Sequence, residues 1–107
     1  MPKLSKQEEH ILLAVWRLGE GAYAIPIRSY LNDITGGRIS VGGIYVPLDR
    51  LVRKGYLDYY QSEPKPERGG MSRRYYTLTK KGFAALEESR RIYEKLWSAL
   101  PELDFHK

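Results

Sequence analysis

Between Ser5 and Gly55 the apolar residues of this chain recur three times at helical spacing, and each recurrence is cut short by glycine. Ile11, Leu12, Val15 and Leu18 form the first stripe. It is opened by Ser5-Lys6-Gln7-Glu8, which has the S-x-x-E form of a capping box, and closed by Gly19 and Gly21. Ile27, Tyr30, Leu31 and Ile34 form the second, with Pro26 in its first turn and Gly36-Gly37 as its stop. After a short extended piece around Arg38-Ile39, Ser40 is placed to cap a third helix, with Ile44, Leu48, Leu51 and Val52 inward and Gly55 at its end. Pro47 lies inside that helix, lacks an N–H, and predicts a kink near its start. Beyond Gly55 the period changes. Leu57-Asp58-Tyr59-Tyr60-Gln61 and residues 73–78 are rich in β-formers and flank Pro64, Pro66, Gly69 and Gly70, which is the pattern of a hairpin with a long tip. Thr79 can cap a last helix reaching about Leu100, where Pro101 stops it. Such a helix spans ~30 Å, longer than so small a core can cover.

The 107 residues make one compact domain and leave no room for a multi-domain enzyme. Cysteine is absent, which removes disulfides, thiolate nucleophiles and Cys-ligated metals, and predicts a reducing, cytoplasmic setting. The N-terminal residues carry carboxylates where an export signal needs an apolar run, and no stretch approaches the ~20 apolar residues of a membrane span, so no membrane partner is expected. The net charge of +5 is unevenly spread. Residues 36–81 hold ten bases against four acids, whereas the segments on either side are neutral or slightly acidic. One face of the fold is expected to be basic and to meet an anionic partner.

Three short helices followed by a basic hairpin describe a winged helix-turn-helix, a mainly α fold with a small β-hairpin, here extended by a long C-terminal dimerisation helix. The expected division is 1–81 for the DNA-binding unit and 82–107 for the dimerisation helix and tail. In this fold the third helix enters the major groove of double-stranded DNA and the wing reaches phosphates. The face of helix three opposite its apolar stripe carries Gly42, Tyr45, Val46, Asp49 and Arg53, with Arg50 and Lys54 at its edge. Ser40 and Gly43 at the helix start complete the candidate reading set, and Arg68, Arg73 and Arg74 are the candidate phosphate contacts of the wing. The competing placement for Arg50 is an ion pair with a carboxylate on a neighbouring helix, and for Arg73 or Arg74 a bridge to Asp58 or Glu63. On the last helix Leu86, Tyr93, Leu96, Trp97 and Leu100 are expected to be buried against a second copy of the chain, giving a homodimer.

Val41-Gly42-Gly43-Ile44-Tyr45-Val46-Pro47-Leu48-Asp49-Arg50-Leu51, followed by Lys54-Gly55-Tyr56-Leu57, resembles the third-helix motif of PadR-like transcriptional regulators. Arg73-Arg74-Tyr75-Tyr76-Thr77-Leu78-Thr79-Lys80-Lys81-Gly82 is similar to that family's second wing strand and the beginning of its last helix. The resemblance covers roughly residues 5 to 97. It implies a homodimeric repressor bound to an operator, often released by a small ligand. Flat aromatic ligands lodge at the dimer interface of such proteins, which makes Trp97, paired with its symmetry mate or with Trp16 and lined by Tyr93, the candidate effector site.

An enzyme would need more than His10 and His106, the two histidines, which stand far apart with no H-x-E, G-x-S-x-G or phosphate-loop pattern near them. The same two residues make no metal site by spacing, and no cofactor is expected. The rival that survives is a winged-helix module that docks protein or RNA rather than operator DNA.

Overall fold

A computed structural model describes residues 4–64 and 72–101. Helix α1 spans Lys6–Leu18, followed by a single 3-10 turn, Gly19–Gly21, and by α2, Ala24–Thr35. Helix α3 is Tyr45–Arg53, strands β1 and β2 are Leu57–Gln61 and Arg74–Leu78, and α4 is Lys80–Ser98. This is the winged-helix arrangement, mostly helical with one hairpin.

Each helix stops and starts for local reasons. The capping box at α1 is complete: Glu8 N–H donates to Ser5 Oγ at 3.1 Å and Ser5 N–H donates to Glu8 Oε1 at 2.8 Å. Gly36 ends α2 in the left-handed conformation, at φ 72°. A Schellman motif ends α3, with Tyr56 N–H donating to the Leu51 carbonyl at 3.0 Å and Gly55 N–H to that of Val52 at 3.0 Å. Thr79 caps α4 by accepting from Gly82 N–H at 3.0 Å, while its own hydroxyl donates to the Gly55 carbonyl at 2.7 Å. The last helix is thereby bolted to the end of α3.

Ile11, Leu12 and Val15 of α1, Ile27 and Leu31 of α2, and Leu48 and Leu51 of α3, with Ile44 just before it, meet Leu57, Tyr76 and Leu86 in one buried core. Ile34, expected on the inward stripe of α2, is exposed because the core ends one turn earlier at Leu31. The hairpin pairs Leu57 with Leu78 through Gln61 with Arg74 in antiparallel register. A single bridge between Tyr23 and Tyr75 and a 2.8 Å bond from Tyr76 N–H to the Ala22 carbonyl dock it on the link between α1 and α2.

Helix α4 belongs to the core at its start and leaves it afterwards. A Cβ on Gly82 would run into the Tyr56 carbonyl oxygen, so the helix crosses there with nothing between backbones. Leu86 is only 6% exposed. It was expected to be covered by a second copy; its own subunit covers it instead, because α4 starts against α1 and the Tyr56 backbone rather than beyond them. Tyr93, Leu96, Trp97 and Leu100 stay exposed. Leu100 lies past the helix rather than in it, since the residue before a proline is driven out of the helical region and Pro101 follows.

Candidate nucleic-acid interface

The turn leading into α3 is built from small residues. Ser40 Oγ accepts from Gly43 N–H at 2.9 Å and the Ser40 carbonyl accepts from Ile44 N–H at 3.2 Å, so Ser40 caps a single turn ahead of α3 rather than α3 itself, which begins at Tyr45 with Ile44 at its N-cap and no side-chain cap. A Cβ on Gly43 would stand 2.7 Å from that hydroxyl. Pro47 is the third residue of the helix and is buried. Its missing N–H falls among the first-turn donors that have no helical acceptor, so the expected loss of a ladder bond does not arise.

The start of α3 is tied to α2 by a feature that sequence reading missed. Ile39 N–H donates to Asn32 Oδ1 at 2.9 Å, and the Ile39 carbonyl accepts from Asn32 Nδ2 at 3.2 Å and Arg28 Nε at 2.7 Å. Arg28 and Asn32, one turn apart on α2, both grip one residue of the turn. Their i, i+4 spacing stands in the sequence, but nothing local to α2 says that both side chains turn to the Ile39 backbone.

With Ile44, Leu48 and Leu51 inward, α3 presents Tyr45, Val46, Asp49 and Arg53 outward, Val46 at 60% exposure, with Gly42 and Gly43 exposed beside them. Arg50 is partly exposed at the edge, and neither Arg50 nor Arg53 is in an ion pair among the described residues. Lys54, expected at the same edge, has turned inward. Its Nζ lies 2.7 Å from Glu8 Oε2, and the Glu8 side chain is buried. Burial alone would push the Glu8 carboxyl up, but the Lys54 ammonium and the Ser5 N–H outweigh it and hold its pKa below the ordinary value.

On the wing, Arg74 pairs with neither Asp58 nor Glu63 but reaches across to α3, its guanidinium 3.3 Å from Asp49 Oδ1 and 4.2 Å above the Tyr59 ring. Two expected DNA contacts thus meet each other. The Tyr76 hydroxyl is buried beneath them without a hydrogen-bond partner among the described residues; burial raises its pKa, and Arg74 beside it offsets part of the rise. Arg73 lies over the Tyr23 ring at 4.4 Å, at the end of a ladder in which Tyr75 stacks on Tyr60 at 5.5 Å. Arg68 lies outside the described residues.

Between α1 and α4 a groove of about 350 Å³ is lined by Leu13, Trp16, Phe83, Leu86 and Tyr93, together with Glu9, Glu87 and Arg90. Trp16 meets Phe83 edge to face at 5.1 Å. Within one subunit it is Tyr93, not Trp97, that shares this groove with Trp16; Trp97 lies one turn further on and is 62% exposed. No helix among the described residues is long and apolar enough to cross a membrane, and no group of His, Asp or Glu there is placed to hold a metal.

The sequence profile of the transcriptional regulator PadR-like family matches residues 12–88, which contain all of α2, α3 and the wing. Among solved structures, a PadR-like transcription factor from Bacteroides fragilis is 30% identical, with 86% of this chain and 84% of that chain covered at a TM-score of 0.73. A PadR-like transcriptional regulator from Bacillus cereus is 25% identical over 86% of this chain and 84% of that one, at a TM-score of 0.69. RosR of H. salinarum is 26% identical over 92% and 81%, at 0.65. No curated protein sequence matches the chain. A winged helix with an outward-facing α3, a basic hairpin and this profile over most of its length places the chain in the PadR-like family of DNA-binding transcriptional regulators.

Proposed function

We propose that the protein is a homodimeric repressor that binds a specific double-stranded operator and is released by a flat aromatic effector. The observation that carries this reading is the outward face of α3. Tyr45, Val46 and Arg53 are exposed there with Arg50 at the edge, and among the described residues neither arginine has an ion-pair partner inside the subunit. Ser40, Gly42 and Gly43 let the backbone approach the duplex closely, Arg73 supplies a phosphate contact, and Arg68 is proposed as another. The exposed Tyr93, Leu96, Trp97 and Leu100 are the surface on which two copies pair, which spaces two α3 helices for successive major grooves, near ~34 Å. The division into 1–81 and 82–107 is then one of task rather than of packing, since Leu86 is shared with the core.

The groove between α1 and α4 supports the effector reading, with Trp16 and Tyr93 as its rings and Trp97 contributed at the seam. Gel-shift titration against the DNA upstream of the protein's own gene, repeated over a salt series, tests the main claim. Phosphate-dominated binding weakens steeply as salt rises; affinity that is flat in salt, or absent, refutes it.

A further inference from the structure

Asp49 is an anomaly at the centre of a face meant for a polyanion. It projects outward between Val46 and Arg53 on α3, where the nearest phosphates would repel it. Its pairing with Arg74 explains how the charge is tolerated. An ion pair this exposed, at 35% and 48% for the two side chains, adds little to stability and gives no reason of its own for an acid here. The pair uses one oxygen: Arg74 Nη1 approaches Oδ1, and no hydrogen bond among the described residues engages Oδ2. Arg74 is itself braced over the Tyr59 ring at 4.2 Å, so the cation that neutralises Asp49 has a fixed seat beside it.

A carboxylate can only accept. On the floor of the major groove guanine offers acceptors, thymine an acceptor and a methyl group, and adenine sets its amino group beside the N7 acceptor, which repels an anion. Cytosine presents the N4 amino group with no neighbouring acceptor of its own. We infer that Asp49 is a base-reading residue that selects cytosine, its free oxygen accepting from N4, and that Arg74 is the positioning residue that neutralises and aims it. This rests on the proposed seating of α3 in the major groove.

Selection by the full-length protein from a randomised duplex pool, followed by affinities on the selected site, tests it. The wild type should enrich cytosine at one fixed position in each half-site, with a loss of about five- to tenfold when that base is changed. Asp49→Ala should lose the preference at that position alone. Asp49→Asn should shift it from cytosine to adenine, whose N6 and N7 an amide matches. Arg74→Gln should broaden the same position and no other. Asp49 and Arg74 are both partly solvent-exposed, so circular dichroism should find all three variants folded.

If Asp49→Ala keeps every base preference and simply binds all duplexes more tightly, Asp49 acts through charge alone and the inference fails while the operator reading stands. If the wild type enriches nothing, both fail together.

Discussion

The Glu8 carboxylate does two jobs with its two oxygens: Oε1 accepts from Ser5 N–H to close the cap of α1, and Oε2 holds Lys54 Nζ, at the C-terminal end of α3, at 2.7 Å. One buried side chain therefore fixes both the start of the first helix and the position of the DNA-facing helix relative to it.

Glu8→Gln separates the two jobs, because glutamine can still close a capping box but cannot neutralise Lys54. The variant should lose about 1 to 2 kcal/mol at neutral pH, the worth of one charge-assisted contact whose basic partner is partly solvated. Since the folded Glu8 pKa lies below its ordinary 4.5, the ion pair's contribution is complete above that pH and is lost as pH falls through the lower, folded value. Denaturant unfolding at several pH values checks this: wild type and variant should converge in acid, and a gap independent of pH would contradict it.

Arg50→Ala should weaken operator binding at least tenfold and relax discrimination at one base pair, as expected when a bidentate arginine worth ~1 to 3 kcal/mol is removed. Arg73→Ala should weaken binding on all sequences alike and lower the salt slope by about one unit. Gel-shift titrations on specific and scrambled duplexes distinguish the two. The fold should be indifferent to the Arg50 change, because Arg50 makes no ion pair within the described residues.

Gly82→Ala should cost about 1 to 3 kcal/mol, as overpacking does, because the new methyl meets backbone rather than a side chain that could swing away. Thermal unfolding should detect it readily. An unchanged midpoint would mean that α4 can slide off Tyr56.

Ending the chain at Glu88 keeps Leu86 in the core and removes Tyr93, Leu96, Trp97 and Leu100. Sedimentation should find a folded monomer with poor operator affinity. A truncated chain that still sediments as a dimer would move the interface elsewhere.

What the sequence made legible is what neighbouring residues decide among themselves. Ser5 with Glu8, Thr79 with Gly82, and the glycines at 36 and 55 announce their caps within a few positions, and the apolar stripes announce which way each helix faces. Contacts between residues distant in the chain were not legible. Lys54 reads as one more base on an outward edge until the fold brings Glu8 beside it, and Arg74 as a wing cation until α3 offers Asp49. Leu86 misled for the same reason: an apolar position on a long helix does not say whether its cover comes from its own subunit or from another. Periodicity gives a side chain's direction but not what lies along it.

The tight seat of Gly43 against Ser40 sets an order on how this region can change over generations. Any side chain at 43 would crowd the hydroxyl that caps the turn, whereas position 40 can give up that hydroxyl with nothing yet standing in its place. A descendant protein that explores new operators by altering position 43 therefore follows the smoother route if position 40 changes first. The two sites are a contingent pair, in which the history of one governs the options of the other.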